Sequence, residues 1–489
     1  MKKGYIPSDK RKKIIMLSDD VRTHSGVANQ AREIIVNTAH RYNWVNLGSA
    51  LNHPDHLKGF DISGDVNKFA GIEDANVRVL AHNGYGSPEV IRQILKQENP
   101  DAIIHFTDPR YWIWLYSMEN EIRQKIPMVF YTIWDDLPYP MWNREFYRSD
   151  DMLLCISKQT KNIVKNVLRD YPKPEWAIQY IPHGIEEKHF FPVINDFEFD
   201  AFKEKILDNK EYDFIVLWNS RNIRRKNPSD IILSWRTFLD QLPKEKAKKC
   251  CLIMHTDPID TNGTDLPAVV DSFCDPEIHK VIIHSEKLDV KRLNYLYNIS
   301  DAHMFMTDNE GWGLGLTESL TAGRMIIAPV QGGMQDQMRF EDENGDWINF
   351  TTEWPSNVDG KYKKCGDWAM PIFPKTRSIK GSPMTPYIFA SQCSIEDAAI
   401  ALMKVYKMDP EERKQRGLAG RDWVLSEESG FTSKIMGERF IKHLDTLFKN
   451  WKPQPRFTVT KIDDSTKLDN RNYYPISLTP EFIKEIQSI

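Results

Sequence analysis

Short apolar runs alternate with amphipathic stretches along most of this chain. KIIMLSDD (13–20) is a run of apolar residues that ends in polar ones, which predicts a buried strand. The period then changes. In SGVANQAREIIVNTAHRY (25–42), Val27, Ala31, Ile34, Ile35 and Ala39 fall on one helical face, with Ser25 as N-cap and Gly26 letting the turn run close to a ligand. Further strands are predicted at WVNLG (44–48), VRVLA (77–81), AIIHF (102–106), MVFYTIW (128–134) and MLLCIS (152–157), with helices at 88–99 and 158–170 between them.

The rhythm breaks over 182–212, a stretch with Pro, Gly and acidic residues and no sustained period, and then restarts. DFIVLWNS (213–220), CLIMHT (251–256), KVIIHS (280–285), AHMFMT (302–307) and MIIAPV (325–330) read as strands. Helices are predicted at 229–242, at LTESLTAG (316–323) with Gly323 closing its end, at IEDAAIALMKVYKM and at 431–449. Strand–helix alternation predicts an α/β protein with parallel sheets covered on both faces. Two Rossmann-like domains are expected, over 1–200 and 201–450, facing across a cleft. Residues 334–390, rich in Trp, Pro and Lys, are expected as an insertion in the second half. The pattern does not place residues 451–489, an extension expected to pack back on the first domain.

Bulk properties narrow the class. A chain of 489 residues exceeds the ~250–300 that one core sustains, which agrees with two domains. The net charge of −4 creates no global positive field for nucleic acid or an acidic membrane. No apolar run approaches the ~18–20 residues of a membrane span, and the short IIML run is too brief for a signal-peptide core. The six cysteines lack metal-ligand spacing, so reduced thiols in the cytoplasm are expected and no metal site is predicted.

Two segments carry chemistry. In DNEGWGLGLTESLTAG (308–323), Glu310 precedes a Gly-rich turn and Glu318 lies eight residues on, in the following helix. Backbone N–H groups of such a turn, ahead of a helix N-terminus, attract anionic oxygens. The two carboxylates suit the hydroxyls of a sugar and a ribose. In WNSRNIRRKNP (218–228), Arg221 and Lys226 leave a strand end together, a fork and a point charge suited to a diphosphate.

With these motifs the chain resembles the large retaining glycosyltransferase family of GT-B fold, which contains sucrose synthase and many bacterial mannosyltransferases. The Arg–Lys spacing, the Glu pair, SGV (25–27), CISKQTKNIV (155–164), IPHGI (181–185, with His183 where Asn is usual) and APVQGG (328–333) carry the resemblance over roughly residues 12–335. It implies a retaining transfer from a nucleoside-diphosphate sugar, with no metal strictly required because Arg221 and Lys226 neutralise the diphosphate. Glu310 would hold sugar hydroxyls, Glu318 the ribose, and Gly313, Leu314, Gly315 and Leu316 the phosphates, with Gly26 facing the donor. The chain departs from the family after MVFYTIW, where Asp135 and Asp136 stand in place of a usual His; either suits orienting a sugar or accepting a proton.

The acceptor is expected in the first half, among Arg110, Trp112, Trp134 and Trp142, because sugars and unpaired bases stack on aromatic faces. A saccharide or other hydroxyl acceptor is the main expectation. Basic residues at 10–13 and Arg144 and Arg148 keep a DNA acceptor open, a hydroxymethylated pyrimidine flipped from the duplex of a viral genome. A sugar-nucleotide epimerase and a non-catalytic nucleotide-sugar-binding scaffold are the competing classes.

Overall fold

The computed structural model describes residues 4–50 and 52–455. Two separate parallel sheets organise them. The first contains β1 (Lys12–Asp19), β2 (Tyr42–Ala50), β3 (Gly59–Asp61), β4 (Val77–Asn83), β5 (Ala102–His105), β6 (Met128–Thr132), β7 (Met152–Cys155) and β8 (Ile178–Tyr180). Their order is β3-β4-β2-β1-β5-β6-β7-β8, and only the edge strand β3 runs antiparallel. The second contains β9 (Phe214–Asn219), β10 (Cys250–His255), β11 (Val281–His284), β12 (Ala302–Met304), β13 (Met325–Pro329) and β14 (Ala369–Ile372), in the order β11-β10-β9-β12-β13-β14.

The second order is the doubly wound 3-2-1-4-5-6 arrangement, and β4-β2-β1-β5-β6-β7 repeats it in the first half. Both sheets therefore reverse direction beside their first strand, between β1 and β5 and between β9 and β12. The sequence dictates these strands because helices cover both faces of the sheet. Ile14 to Leu17 of β1 and Phe214 to Leu217 of β9 are fully or almost fully buried. Strands buried on both sides are continuous apolar runs rather than alternating ones. A polar exception inside the first sheet, Asn46, is satisfied: its amide donates to the Met16 carbonyl and to Ser18 Oγ, and its Oδ1 accepts from Val21 N–H.

Two regions depart from the expected organisation. The stretch 334–390 is no simple insertion, because it supplies β14, the edge strand of the second sheet. It then forms an antiparallel hairpin, β15 (Thr376–Ser382) with β16 (Thr385–Gln392). The last described helix, Ser433–Asn450, packs on the first half although it follows the second in sequence. Tyr42 Oη donates to Asp445 at 2.8 Å, and a Cβ on Gly437 would stand 2.6 Å from Asn37 Cβ. The extension expected at 451–489 lies, from residue 456 onward, outside the described residues. No described helix is long and apolar enough to cross a membrane.

The halves are tied directly. The N–H of Lys158 donates to Asp336 at 2.9 Å, and Gln335 Nε2 donates to Gln159 Oε1 at 2.7 Å.

Candidate functional site

Ligands of doubly wound sheets bind at the carboxyl ends of strands, where the order reverses. Here the two reversal points face one cavity of about 630 Å³. The first half contributes turns after β1 (Ser25, Gly26), β5 (Asp108, Arg110), β6 (Trp134 to Asp136) and β8 (His183). The second contributes Arg225 after β9 and Asn309 to Leu314 after β12.

The turn after β12 is braced from several sides. Gly313 has φ +85°, a left-handed conformation that glycine adopts without strain, and stands immediately before the helix Leu314–Thr321. Buried Trp312 donates from Nε1 to Thr317 Oγ1, and Gln337 Nε2 donates to the Trp312 carbonyl. Gly332, at φ +51°, lies so close to the Glu310 carbonyl that any Cβ there would collide with it. The turn also touches the other half, since a Cβ on Gly311 would come 3.0 Å from the Ile133 carbonyl.

The loop after β9 is stapled to this turn. Asn227 Nδ2 donates to Asp308 Oδ1 at 2.7 Å, and Asp308 N–H donates to the Arg225 carbonyl at 2.8 Å. Lys226 forms a close ion pair with Glu310, and Arg225 Nη1 stands 3.3 Å from the same carboxylate oxygen. Burial pulls the Lys226 pKa well below the usual lysine range, and Arg225 beside it adds to the effect, while the charge of Asp135 opposes it. Arg221 is placed differently: its Nε donates to Asp260 at 3.0 Å and it does not line the cavity. The cation that reaches the cavity wall from this loop is Arg225, which sequence reasoning passed over. The short 3-10 turn Arg224–Lys226 carries it there, and the basic run RNIRRKN held that signal without ranking its members.

Glu318 lies one helical turn beyond Leu314, on the same face. Its carboxylate accepts from Tyr297 Oη at 2.6 Å, and that hydroxyl accepts from Asn219 Nδ2 at 2.7 Å. Burial raises the Glu318 pKa, and the tyrosine hydrogen bond opposes the rise. Of the four positions 313–316, Gly313 and Leu314 line the cavity, whereas Leu316 is core and Gly315 packs under the His303 and Phe305 rings. Gly26 faces this helix start across the cleft, where a Cβ would meet Leu314 at an ordinary 3.6 Å.

The first half presents a carboxyl pair. Burial raises the pKa of both Asp135 and Asp136, and the Asp135 charge pushes Asp136 further, so the pair retains a proton on the Asp136 side. Backbone around them is fixed: Gln159 Nε2 donates to the Asp135 carbonyl at 2.7 Å and Trp134 Nε1 to that of Asp136 at 2.8 Å. His183 accepts or donates at Tyr131 Oη, 2.8 Å away, and burial lowers its pKa to about 3, so it stays neutral.

The aromatic candidates separate. Trp134 lines the cavity. Trp142 stands behind it, edge to face at 5.7 Å, and Trp112 is fully buried core against His105 and Trp114. Arg110 lines the cavity but is clamped by Asp108. Most of the other basic residues invoked for a DNA acceptor are engaged elsewhere, Arg11 with Asp74, Lys12 with Asp101, Lys13 with Glu98, and Arg144 and Arg148 with Glu145.

The hairpin β15–β16 closes one side. Thr385 and Ile388 line the cavity, Phe389 N–H donates to the Leu137 carbonyl at 2.6 Å, and Asn309 Nδ2 donates to the Phe389 carbonyl at 2.8 Å. The hairpin thus holds both walls. Among the described residues no group of three or more His, Cys, Asp or Glu side chains is placed to hold a metal ion.

No protein-family profile and no curated protein matches this chain. Solved structures do. Anabaena Alr3699/HepE, in complex with UDP and glucose, superposes with TM-score 0.60 at 11% identity over 89% of this chain and 100% of its own. Sucrose-phosphate synthase from Thermosynechococcus elongatus gives 0.60 at 14% identity over 90% and 100%. A glycosyltransferase from Rickettsia africae gives 0.60 at 13% identity over 90% and 100%. At such identities the likeness is one of fold, and the fold is GT-B.

Proposed function

We propose that this GT-B chain is a retaining glycosyltransferase that moves a sugar from a nucleoside-diphosphate sugar to a hydroxyl acceptor, a saccharide. The observation that carries the reading is the stapled pair of loops after β9 and β12, which brings Arg225, Lys226 and Glu310 to a glycine turn at a helix N-terminus. Cations and N–H groups there suit a diphosphate, and carboxylates suit sugar hydroxyls. The structural neighbours solved with UDP and glucose, or named as sucrose-phosphate synthase, agree with this chemistry.

In the proposed reaction the acceptor oxygen bonds to the sugar's anomeric carbon as the bond from that carbon to the diphosphate oxygen breaks. The electron pair leaves with the diphosphate, and the hydroxyl proton passes to its oxygen on the same face. Negative charge grows on the leaving group, where Lys226, Arg225 and Arg221 stabilise it in place of a metal. Arg221 joins by exchanging Asp260 for the diphosphate. Glu318, oriented by Tyr297, holds the ribose; Glu310 holds the transferred sugar; Trp134, Asp135 and Asp136 face the acceptor.

Release of free nucleoside diphosphate from UDP-, GDP-, ADP- and CDP-sugars, with and without saccharide acceptors and in the presence of EDTA, tests the reading. One donor turned over, stimulated by an acceptor and insensitive to EDTA, is the expected result. No release from any donor overturns it in favour of a binding scaffold.

A further inference from the structure

The charge of the cleft is distributed unevenly, and this bears on which acceptor it takes. Six ionisable side chains of ordinary acid or guanidinium type line the cavity: Asp108, Asp135, Asp136 and Glu310 against Arg110 and Arg225. Each guanidinium is matched by a carboxylate, Arg110 by Asp108 and Arg225 by Glu310. Glu310 is shared by Arg225 and Lys226, and the Asp135–Asp136 pair, which holds one proton, has no ion-pair partner within 4 Å among the described residues. Among the described residues, Arg110 is the one cation that the first half sends to the cavity wall, and Asp108 grips it through Nε at 2.8 and 2.9 Å. On the donor side, Arg225 and Lys226 are adjacent to Glu310 and face the turn suited to the diphosphate.

The carboxyl pair also sits beside an apolar wall of fixed orientation. Trp134 lines the same cavity, donates its Nε1–H to the carbonyl of Asp136, and is held from behind by Trp142, itself edge to face with Tyr387 of the hairpin at 4.3 Å. An aromatic face next to paired hydrogen-bonding carboxyls fits a pyranose, whose C–H face stacks while its hydroxyls bond. It does not fit an anion, for which the first half offers no uncommitted donor cation at the cavity and whose charge the ionised Asp135 opposes in a partly desolvated site.

We propose that the acceptor is a saccharide carrying no negative charge, neutral or amine-bearing, and that the Asp135–Asp136 pair rejects its phosphorylated counterpart. The inference rests on the glycosyltransferase reading and specifies its acceptor class. It also separates this cleft from one that would accept a nucleic acid or a sugar phosphate.

Calorimetric titration of the full chain with matched sets tests it: glucose, mannose and galactose, their 2-amino forms and their 6-phosphates, at pH 7 and low salt. Within at least one set, the neutral or amino sugar is expected to bind at least about tenfold more tightly than the phosphate. Replacing both carboxyls (Asp135→Asn with Asp136→Asn) is expected to bring the two within about threefold, and Asp136→Asn alone, which replaces the protonated member, to leave the wild-type ratio within about threefold. Equal or tighter binding of the phosphates, unchanged discrimination in the double variant, or no binding by any sugar each overturns the proposal. The same preparations are titrated with the four nucleoside diphosphates. Nucleotide binding with a phosphate preference overturns the acceptor inference alone, whereas absence of nucleotide binding overturns the glycosyltransferase reading beneath it.

Discussion

Tyr297 donates its hydroxyl hydrogen to Glu318 at 2.6 Å while accepting from Asn219 at 2.7 Å, so a strand end of the second sheet orients a carboxylate through two hydrogen bonds. Tyr297 is fully buried. Tyr297→Phe keeps the ring and removes the orienting bond, which costs about 1–3 kcal/mol where a buried group loses its partner. Nucleoside diphosphate is expected to bind about tenfold more weakly by calorimetry, with the melting temperature lowered by only a few degrees.

Lys226 is buried against Glu310 and beneath Phe305. Charge on the leaving diphosphate grows in the transition state, so its loss affects turnover more than binding. Lys226→Ala is expected to lower kcat by about 10²–10³, as for other single stabilising donors, while donor affinity changes less than tenfold. Steady-state kinetics with the identified donor measures the split.

Arg225 reaches the cavity, and Arg221 pairs with Asp260 through a side chain that is 64% exposed. An ion pair that open is weak and readily exchanged. Arg221→Ala and Arg225→Ala are each expected to lower kcat/KM at least about tenfold, since both guanidiniums serve the diphosphate. Asp260→Ala is expected to stay within about threefold, as it removes only a resting partner.

Gly332 has φ +51° and would place a Cβ against the Glu310 carbonyl. Gly332→Ala forces that turn apart, and overpacking of this kind typically costs about 1–3 kcal/mol, with the left-handed backbone adding to it. A melting temperature lowered by several degrees, together with weaker nucleotide binding, is the expected pair of results.

Asp336 accepts from the Lys158 N–H at the contact between the halves, and burial pushes its pKa from 3.8 up to about 6. A carboxyl with a raised pKa holds its proton more tightly when folded. Its stabilising contribution is present below the unfolded value and is lost as pH rises through about 6. Asp336→Asn stays neutral throughout. The melting temperature of the variant relative to wild type is therefore expected to climb between pH 4 and 6.5. A constant difference over that window contradicts the assignment.

Much of the fold was legible because both sheets are parallel and covered. Strands such as β1, β9 and β13 then appear as uninterrupted apolar runs, and each was located to within a residue or two. The hairpin was not legible, since every residue of β15 is exposed and no alternation marks it. It is held by contacts from Leu137 and Asn309, distant in sequence. The helix Pro410–Leu425 escaped for a different reason. Its buried face is made of Arg413, Gly417, Gly420, Trp423 and Val424, where glycines allow close approach and no apolar stripe forms. At the site, spacing singled out Lys226 with Arg221 and Glu310 with Glu318, but it could not tell that Lys226 would pair with Glu310 or which basic residue a 3-10 turn would aim inward. Nor could it tell Trp134, at the cavity, from Trp112, in the core: both sit in aromatic runs, and only the layering of helices over the sheet separates them.

The central claim, a nucleotide donor held by the second half, is tested most directly by titrating UDP, GDP, ADP and CDP onto wild type and Glu318→Ala. The account predicts that one nucleotide binds wild type and binds the variant at least about tenfold more weakly, the loss expected when charge-assisted ribose hydrogen bonds are removed. Absence of binding by all four, or equal affinity in both proteins, would contradict it.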